Sequence, residues 1–324
     1  MILKGAASVL SPKGPRARLS IFIFHRVLTR IDPLFPGEPD VRRFNEMLSW
    51  IARWLQVIPL DDAVSRLRNG SLPARAAAIT FDDGYADNAT HALPVLQHHA
   101  MTATFFVATS FLDGGRMWND SVIEAVRAFR GDRLDLSPAG LGSYCLDSPE
   151  QRRIAIDTLL GRIKYLGPRE RHEAVAHVID RVQARLPDDL MMRSDQVLAL
   201  KKAGMQIGAH TCSHPILARV PDSHAISEIS RSKETLESLL DEAVGLFAYP
   251  NGKPNTDYAA RHVAMVRQAG FAAAVSTAPG VAVQACDLHQ LPRFTPWDRS
   301  RAKYGIRMLA NLRAGAGAVA RRTA

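Results

Sequence analysis

Two short stretches of this sequence hold side chains whose types and spacing suit hydrolysis at a metal ion. Asp82 and Asp83 follow an apolar run at 76–81, and His210 and His214 stand four residues apart after a second apolar run. Adjacent carboxylates at the end of a buried strand repel each other and lose solvation, so a nearby cation would stabilise them. Either stretch alone also fits a structural turn or cap. Together, two histidines and a carboxylate predict a divalent ion with positions open for water and substrate.

A βα framework is expected to position these residues. Apolar runs of strand length alternate with helix signals, which predicts a parallel sheet that is either open or closed into a barrel. Ser148, Ser194 and Asp222 are predicted helix N-caps, and Gly204 and Gly270 are predicted helix stops. The predicted strands are 19–24, 76–81, 102–108, 205–209, 244–249 and 271–276.

A long section at about 114–193 has helical patterns without a convincing strand. It is predicted to be a helical insertion on the scaffold, and insertions of this kind often carry substrate specificity.

The formal charge of +9 is concentrated at the two ends of the chain. Residues 1–30 carry six Lys and Arg, residues 299–324 carry seven, and neither segment has an acid, so the body between them is mildly acidic. We predict a basic N-terminal tail at 1–18 and a basic, amphipathic C-terminal tail at 301–324. The C-terminal tail is either solvated or in peripheral contact with an anionic membrane surface. No recognition motif accompanies the basic residues, which argues against nucleic acid as a partner.

The three scattered cysteines and the absence of a signal-peptide pattern predict a cytoplasmic protein, with the inner face of the membrane as the site of any tail contact.

The two chemical stretches, TFDDGY at 80–85 and HTCSH at 210–214, resemble the first two motifs of the polysaccharide deacetylases with a NodB-like domain, carbohydrate esterase family 4. The resemblance covers roughly residues 19–300 and implies a distorted (β/α) barrel. It implies that Asp83, His210 and His214 bind the metal ion and that Asp82 is the general base for the attacking water. Zn²⁺ is the expected ion, and Co²⁺, Ni²⁺, Mn²⁺ or Fe²⁺ would also fit such ligands.

The third family motif, Arg-x-Pro-Tyr, is altered here to AYPN at 248–251. In the family, the backbone N–H at the last position stabilises the oxyanion, a task that Asn251 can retain. Ala248 replaces the arginine that orients the base. We predict from chain order that Arg293 substitutes for it.

The family's general acid is a histidine after a short apolar strand near the C-terminus, a pattern that this chain lacks there. His25 follows such a strand near the N-terminus, which resembles relatives with a circularly permuted motif order. His25 is therefore the predicted acid, and His289 is the alternative.

Aromatic and polar residues near these motifs are predicted to bind the sugar ring by stacking and hydrogen bonding. They are Tyr85, Trp118, Asn119, Asp120, Tyr249, Pro250 and Trp297.

The expected function is metal-dependent removal of N-acetyl groups from an amino-sugar unit of a polysaccharide, an oligosaccharide or a lipid-linked sugar. One alternative keeps the scaffold and hydrolyses another non-peptide amide. A second alternative, suggested by the altered third motif, is a carbohydrate-binding protein without activity.

Overall fold

The computed structural model describes residues 2–296 and 298–314. The strands are β1 Ser20–Phe24, β2 Gln56–Val57, β3 Ala76–Phe81, β4 Thr104–Val107, β5 Arg133–Asp135, β6 Ser143–Cys145, β7 Gln206–Ala209, β8 Leu246–Ala248, β9 Ala273–Pro279 and β10 Leu291–Arg293. The helices are α1 Ile2–Leu10, α2 Val41–Trp54, α3 Leu60–Asn69, α4 Leu93–His98, α5 Trp118–Ala128, α6 Pro149–Ile163, α7 Pro168–Val182, α8 Ser194–Lys202, α9 Asp222–Leu240, α10 Ala260–Gln268 and α11 Arg301–Ala314.

The main sheet is parallel and runs in the order β1, β3, β4, β7, β8, β9, β10, with β2 added beside β3. Its two ends meet, because Phe294, directly after β10, bridges Phe22 of β1 in parallel. The N–H of Phe294 donates to Ile21 O at 2.7 Å, and the N–H of Ile23 donates to Phe294 O at 3.2 Å. The sheet is therefore a nearly closed barrel, which confirms the predicted fold class.

Successive strand residues face two different apolar cores, as the period of a strand requires. Phe22, Phe24 and Phe81 belong to the core between the sheet and the helices around it, among them α2, α8, α9 and α10. Ile21 and Ala78 belong to the core on the other face, which α3 also contacts. All six predicted strands are present, because burial on both faces gives them continuous apolar sequences. β3 has the predicted bounds, and the ends of the other five are shifted by one to three residues.

The insertion folds around a separate apolar core that α5, α6 and α7 share with the hairpin of β5 and β6. The prediction that 114–193 contains no strand is wrong, because these two strands have only three residues each and present no periodic pattern. Ser148 caps α6 by accepting the N–H of Gln151, as predicted.

Two predicted caps are wrong by one residue. Ser194 and Asp222 are the first residues of α8 and α9, and the capping positions are Arg193 and Pro221. Ser194 instead donates its backbone N–H and its hydroxyl to Asp113, at 2.7 and 2.6 Å.

Both terminal segments pack on the barrel where they are described. Residues 2–10 of the predicted N-terminal tail form α1, which packs against α11 and buries Ala7. In α11 the apolar residues Tyr304, Met308 and Leu312 are buried, so this face of the helix contacts the barrel and is not available to a membrane. Residues 315–324 of the predicted C-terminal tail lie outside the described residues. Among the described helices, none combines the length and apolarity needed to cross a bilayer.

Candidate active site

The two chemical stretches meet at the carboxyl ends of β3 and β7, which are separated by β4 alone. The loops that leave these strands hold several residues in the left-handed backbone region. The backbone φ angle is 78° at Asp83, 62° at Thr211 and 55° at His214. Side chains rarely adopt this conformation, and such backbone strain concentrates at functional sites. At Gly84 a side chain would also lie only 3.2 Å from Val107.

Asp83, His210 and His214 form a compact group of donor atoms. Their nearest ligand atoms all lie within 4.8 Å of one another, and Asp83 Oδ1 is 3.3 Å from the Nε2 atom of each histidine. His210 Nδ1 lies 2.7 Å from Ala248 O, so this nitrogen carries the proton and Nε2 presents its lone pair to the group.

The electrostatics of the group suit a cation. Burial lowers the pKa of His214 to about 4, so its ring is neutral at pH 7. Burial raises the pKa of Asp83, but the neighbouring histidines outweigh it and hold the net pKa far below the usual range. One carboxylate and two imidazoles at this separation are a donor set that fits a divalent transition-metal ion.

Asp82 is paired with Arg293, the arginine of β10 that chain order predicted as the substitute for the missing motif arginine. Arg293 Nη1 donates to Asp82 Oδ1 and Nη2 donates to Oδ2, both at 2.7 Å. Arg293 also donates from Nη1 to Thr80 Oγ1 at 3.2 Å and from Nε to Ser276 O at 2.8 Å. Burial raises the pKa of Asp82, but Arg293 and His210 lower it by more, and the carboxylate stays ionised.

The loop that presents His214 is anchored by a residue that the sequence did not reveal. Glu228 of α9 accepts the N–H groups of Cys212 and Ser213, each at 2.8 Å, and the hydroxyl of Ser213 at 2.7 Å. Thr211 Oγ1 accepts the N–H of His214 at 3.2 Å. An acidic residue among the apolar positions of the next helix was the sequence signal that could have revealed it. In the structure Glu228 is 7% exposed.

The altered third motif supplies one residue to the site. Asn251 has a φ of 58° and lines the cavity, and its carbonyl oxygen accepts the hydroxyl of Thr277 at 2.8 Å. The prediction that Tyr249 and Pro250 contact substrate is not supported by their positions. Tyr249 is fully buried, stacks on Tyr258 with ring centres 3.8 Å apart, and donates its hydroxyl to His289 O. Pro250 is buried in the turn.

All four metal and base residues line one cavity of about 470 Å³. His25 lines it too, directly after β1. His289 does not. One of its ring nitrogens lies 2.9 Å from Phe271 O, and the other accepts the Nε–H of Arg267 at 3.2 Å. Of the two predicted acids, the structure therefore brings only His25 to the cavity.

Four of the predicted sugar-binding residues form a wall of this cavity: Tyr85, Trp118, Asn119 and Asp120. Tyr85 donates its hydroxyl to Asp120 at 2.9 Å, and the guanidinium of Arg26 lies 4.6 Å from the centre of the Tyr85 ring. Burial raises the pKa of Asp120 to about 6. Trp297 lies outside the described residues.

Several charged cavity residues have no sequence signal. Arg26 pairs with Asp87 at 2.7 Å, and Arg127 pairs with Asp32 at 2.6 Å. Glu38 and Lys164 also line the cavity, on the loop before α2 and directly after α6.

Comparison with known proteins gives one family and one fold. The family model described as polysaccharide deacetylase matches residues 69–129 and 168–274, more than half of the chain. The fold is similar to that of the Streptococcus pyogenes deacetylase PplD in complex with acetate, with a TM-score of 0.60, 17% identity, and coverage of 91% of this chain and 98% of that one.

Two further solved structures are similar in fold. IcaB from Ammonifex degensii has a TM-score of 0.58 and 17% identity, with 94% of this chain and 98% of that one covered. The de-N-acetylase from Aggregatibacter actinomycetemcomitans has a TM-score of 0.55 and 14% identity, with 86% and 94% covered. Among curated proteins, no sequence matched the chain.

Proposed function

Because this chain belongs to the polysaccharide deacetylase family and is an N-deacetylase, we propose that it removes N-acetyl groups from an amino-sugar glycan by metal-dependent hydrolysis. The observation that carries the proposal is the donor group of Asp83, His210 and His214 beside the buried pair of Asp82 and Arg293.

Asp83, His210 and His214 would hold one divalent ion, with Zn²⁺ as the expected species and Co²⁺, Ni²⁺, Mn²⁺ or Fe²⁺ as alternatives. Such an ion polarises the acetamide carbonyl and lowers the pKa of water. The protein's part is to keep the ligands in place. Glu228 and Thr211 hold the loop of His214, and Ala248 O fixes the ring of His210.

Asp82 acts as the general base that takes a proton from the attacking water. Its carboxylate is ionised and held in one orientation by two hydrogen bonds from Arg293, which cannot itself accept a proton. A base oriented in this way needs little reorganisation when the proton moves.

His25 and Asn251 complete the proposed chemistry from the cavity wall. His25 donates a proton to the amine that leaves when the C–N bond breaks. The backbone N–H of Asn251 donates to the oxygen that gains negative charge as water adds to the carbonyl. Thr277 fixes this turn through the carbonyl of Asn251.

The substrate is an acetylated amino sugar within a polysaccharide, an oligosaccharide or a lipid-linked intermediate. Trp118 offers an aromatic ring at the wall of a cavity of about 470 Å³, a size that suits one or two sugar rings. We place the protein in the cytoplasm, with peripheral membrane contact as part of that proposal, made by exposed basic residues of α11 such as Arg301 and Lys303 and not by its buried apolar face.

An acetate-release screen over N-acetylated oligosaccharides and lipid-linked sugars, together with bound-metal analysis, tests the proposal. Wild type should bind about one equivalent of Zn²⁺ and release acetate. Asp82→Asn should keep the metal and lose release. His214→Ala should lose both, and His172→Ala, at an exposed histidine of α7, should lose neither. Metal without acetate release from any sugar would favour hydrolysis of another amide, or carbohydrate binding alone.

A further inference from the structure

A second cavity of about 440 Å³ adjoins the active-site cavity and is lined mainly by apolar side chains. The two cavities share the lining residues His25, Phe35, Glu38 and Thr277. The other apolar residues of the second cavity are Ile23, Phe24, Leu34, Pro36, Pro39, Ile156 and Pro296. The predicted acid His25 therefore stands at the border between the active-site cavity and an apolar one.

The apolar cavity opens to solvent at a rim of exposed residues. Pro36 and Gly37 form one part of this rim, Asp157 of α6 forms a second, and Thr295 after β10 forms a third. Of its charged lining residues, Asp157 is exposed, and Arg153 donates from Nη1 to Pro33 O at 2.8 Å. A ligand can thus enter the apolar cavity from outside the protein.

One side of α6 borders both cavities. The residues that line them are three or four positions apart, so they share one face of the helix. These are Arg153, Ile156 and Asp157 at the apolar cavity, then Leu160, Gly161 and Lys164 at the active-site cavity. At a rise of about 1.5 Å per residue, this face extends for about 16 Å. A ligand longer than one sugar ring can therefore lie along α6 and contact both cavities.

The loop at 34–39 forms another wall of the apolar cavity, and it is held by contacts with two other parts of the chain. The loop packs on the apolar core of the insertion. Beyond the contact of Arg153 with Pro33, Arg299 donates from Nη2 to Pro36 O at 2.8 Å. The walls of this cavity are thus preformed, as is usual for sites that bind small molecules.

Every residue that lines the apolar cavity lies outside the two ranges that the family model matches, 69–129 and 168–274. The proposed metal ligands and the base lie inside those ranges. The apolar cavity is therefore a feature of segments that the family pattern does not describe, whereas the proposed reaction centre belongs to that pattern.

We propose that the apolar cavity binds a hydrocarbon chain attached to the amino sugar, so that the substrate is a glycolipid. Hydrocarbon in this cavity leaves water for apolar contacts, which is favourable. A further sugar ring would lose hydrogen bonds to water and find few polar partners among these side chains. The inference rests on the proposed function and selects the lipid-linked sugar among its substrates.

The chemistry of an amino sugar agrees with this placement. The acetamide nitrogen is bonded to C2 of the sugar, and C2 is bonded to the anomeric carbon C1, where a lipid is attached. When the amine faces His25 at the border of the two cavities, a substituent at C1 begins at the same border. It can continue along α6 into the apolar cavity without displacing the acetamide.

The test measures acetate release from N-acetylated amino-sugar glycosides with methyl, butyl and octyl groups at C1, below the concentrations at which they form micelles. Each fully buried methylene strengthens binding about fourfold. Even with partial burial, the octyl glycoside should have a KM at least roughly tenfold lower than the methyl glycoside, at similar kcat. Disaccharides and trisaccharides of the same sugar test a glycan as the occupant. Equal KM values for the three glycosides, or a KM that falls only with added sugars, would overturn the inference.

Gly37→Trp should reduce the octyl preference. A Cβ atom at Gly37 would have no neighbour within 4 Å, so the rim has room for a larger side chain there. The variant should raise the KM for the octyl glycoside at least roughly fivefold and keep the KM for the methyl glycoside, which shows that the fold is intact. Gly5→Trp, at an exposed glycine of α1 that also has no neighbour within 4 Å, is the matched control.

Photolabelling locates the chain without any turnover. An octyl glycoside with a diazirine at the end of its chain should label residues within 34–39, 153–157 or 295–296, identified by mass spectrometry of peptides. Label in these segments without acetate release would mean that the proposed function fails and the apolar site stands. Label absent from all three segments would overturn the inference whether or not acetate is released.

Discussion

Arg293 and Asp82 form a bidentate ion pair with two hydrogen bonds of 2.7 Å, and both side chains are buried. The arginine comes from β10 and the carboxylate from the end of β3. In this closed sheet β1 lies between these two strands, so the base and the group that orients it come from strands two positions apart. A planar guanidinium matches a carboxylate in a way that a lysine ammonium does not.

We therefore expect Arg293→Lys to lower kcat by about tenfold to a hundredfold, since a misplaced base loses alignment with the water. Loss of the guanidinium should also raise the pKa of Asp82, so the acidic limb of the profile of kcat/KM against pH should move to higher pH. Arg42→Lys, at an exposed arginine paired with Glu46, should change neither. Full activity and an unshifted profile in Arg293→Ala would show that Arg293 does not position the base.

Glu228→Gln should weaken metal binding roughly tenfold, because the residue that fixes the His214 loop then retains only one acceptor oxygen. Competition with a chelator of known affinity measures the change in Kd. Glu234→Gln, at an exposed glutamate of the same helix, is the matched control. An unchanged Kd in Glu228→Gln would mean that the ligand loop keeps its conformation without this anchor.

His25→Gln should reduce kcat by at least about a hundredfold while the protein keeps its bound metal, as expected for loss of a general acid. His289→Gln should stay near wild-type activity, since both ring nitrogens of His289 already have partners outside the cavity. Single-turnover kinetics and metal content measured on the same samples test both statements. The reverse order of effects would assign the acid to His289.

Asp120 should make stability depend on pH. Burial raises its pKa from 3.8 to about 6 in the folded protein. Its contribution to stability is thus present below the unfolded pKa and is lost as pH rises through about 6. Wild type should therefore lose about 2 kcal/mol of free energy of unfolding, relative to Asp120→Asn, when the pH is raised from 4.5 to 7.5. The variant gains by that amount in the comparison. Denaturant unfolding at both pH values measures this gain, and Asp132→Asn, at an exposed aspartate, should show none.

The barrel was predictable because its central strands are buried on both faces and so have continuous apolar sequences. The short elements were not. β2 has two residues, and β5 and β6 have three each, so their pairing depends on neighbours distant in sequence and not on a local pattern. Likewise, the basic residues at the chain ends concealed the apolar positions that dock α1 and α11 on the barrel.

Residues next to strand ends were easier to assign than residues that act from a distance. Asp83 and His214 could be assigned from residue type and spacing, whereas Glu228 contacts the loop of His214 from the buried face of α9. Tyr249 shows the opposite error. It follows a strand as a site residue would, but its side chain turns into the core. The direction of one side chain depends on turn geometry that a single sequence does not encode locally.

The strand β10 is late in the chain, and this order has a consequence during translation. Asp82 leaves the ribosome 211 residues ahead of Arg293. Until β10 is made, the nascent chain has no counter-charge from this arginine for a carboxylate that the finished barrel buries, and enclosing such a charge unpaired is strongly unfavourable. We expect the nascent barrel to remain open at the edge of β1 until its last strand emerges, so that completion of the active site and closure of the fold are the same event.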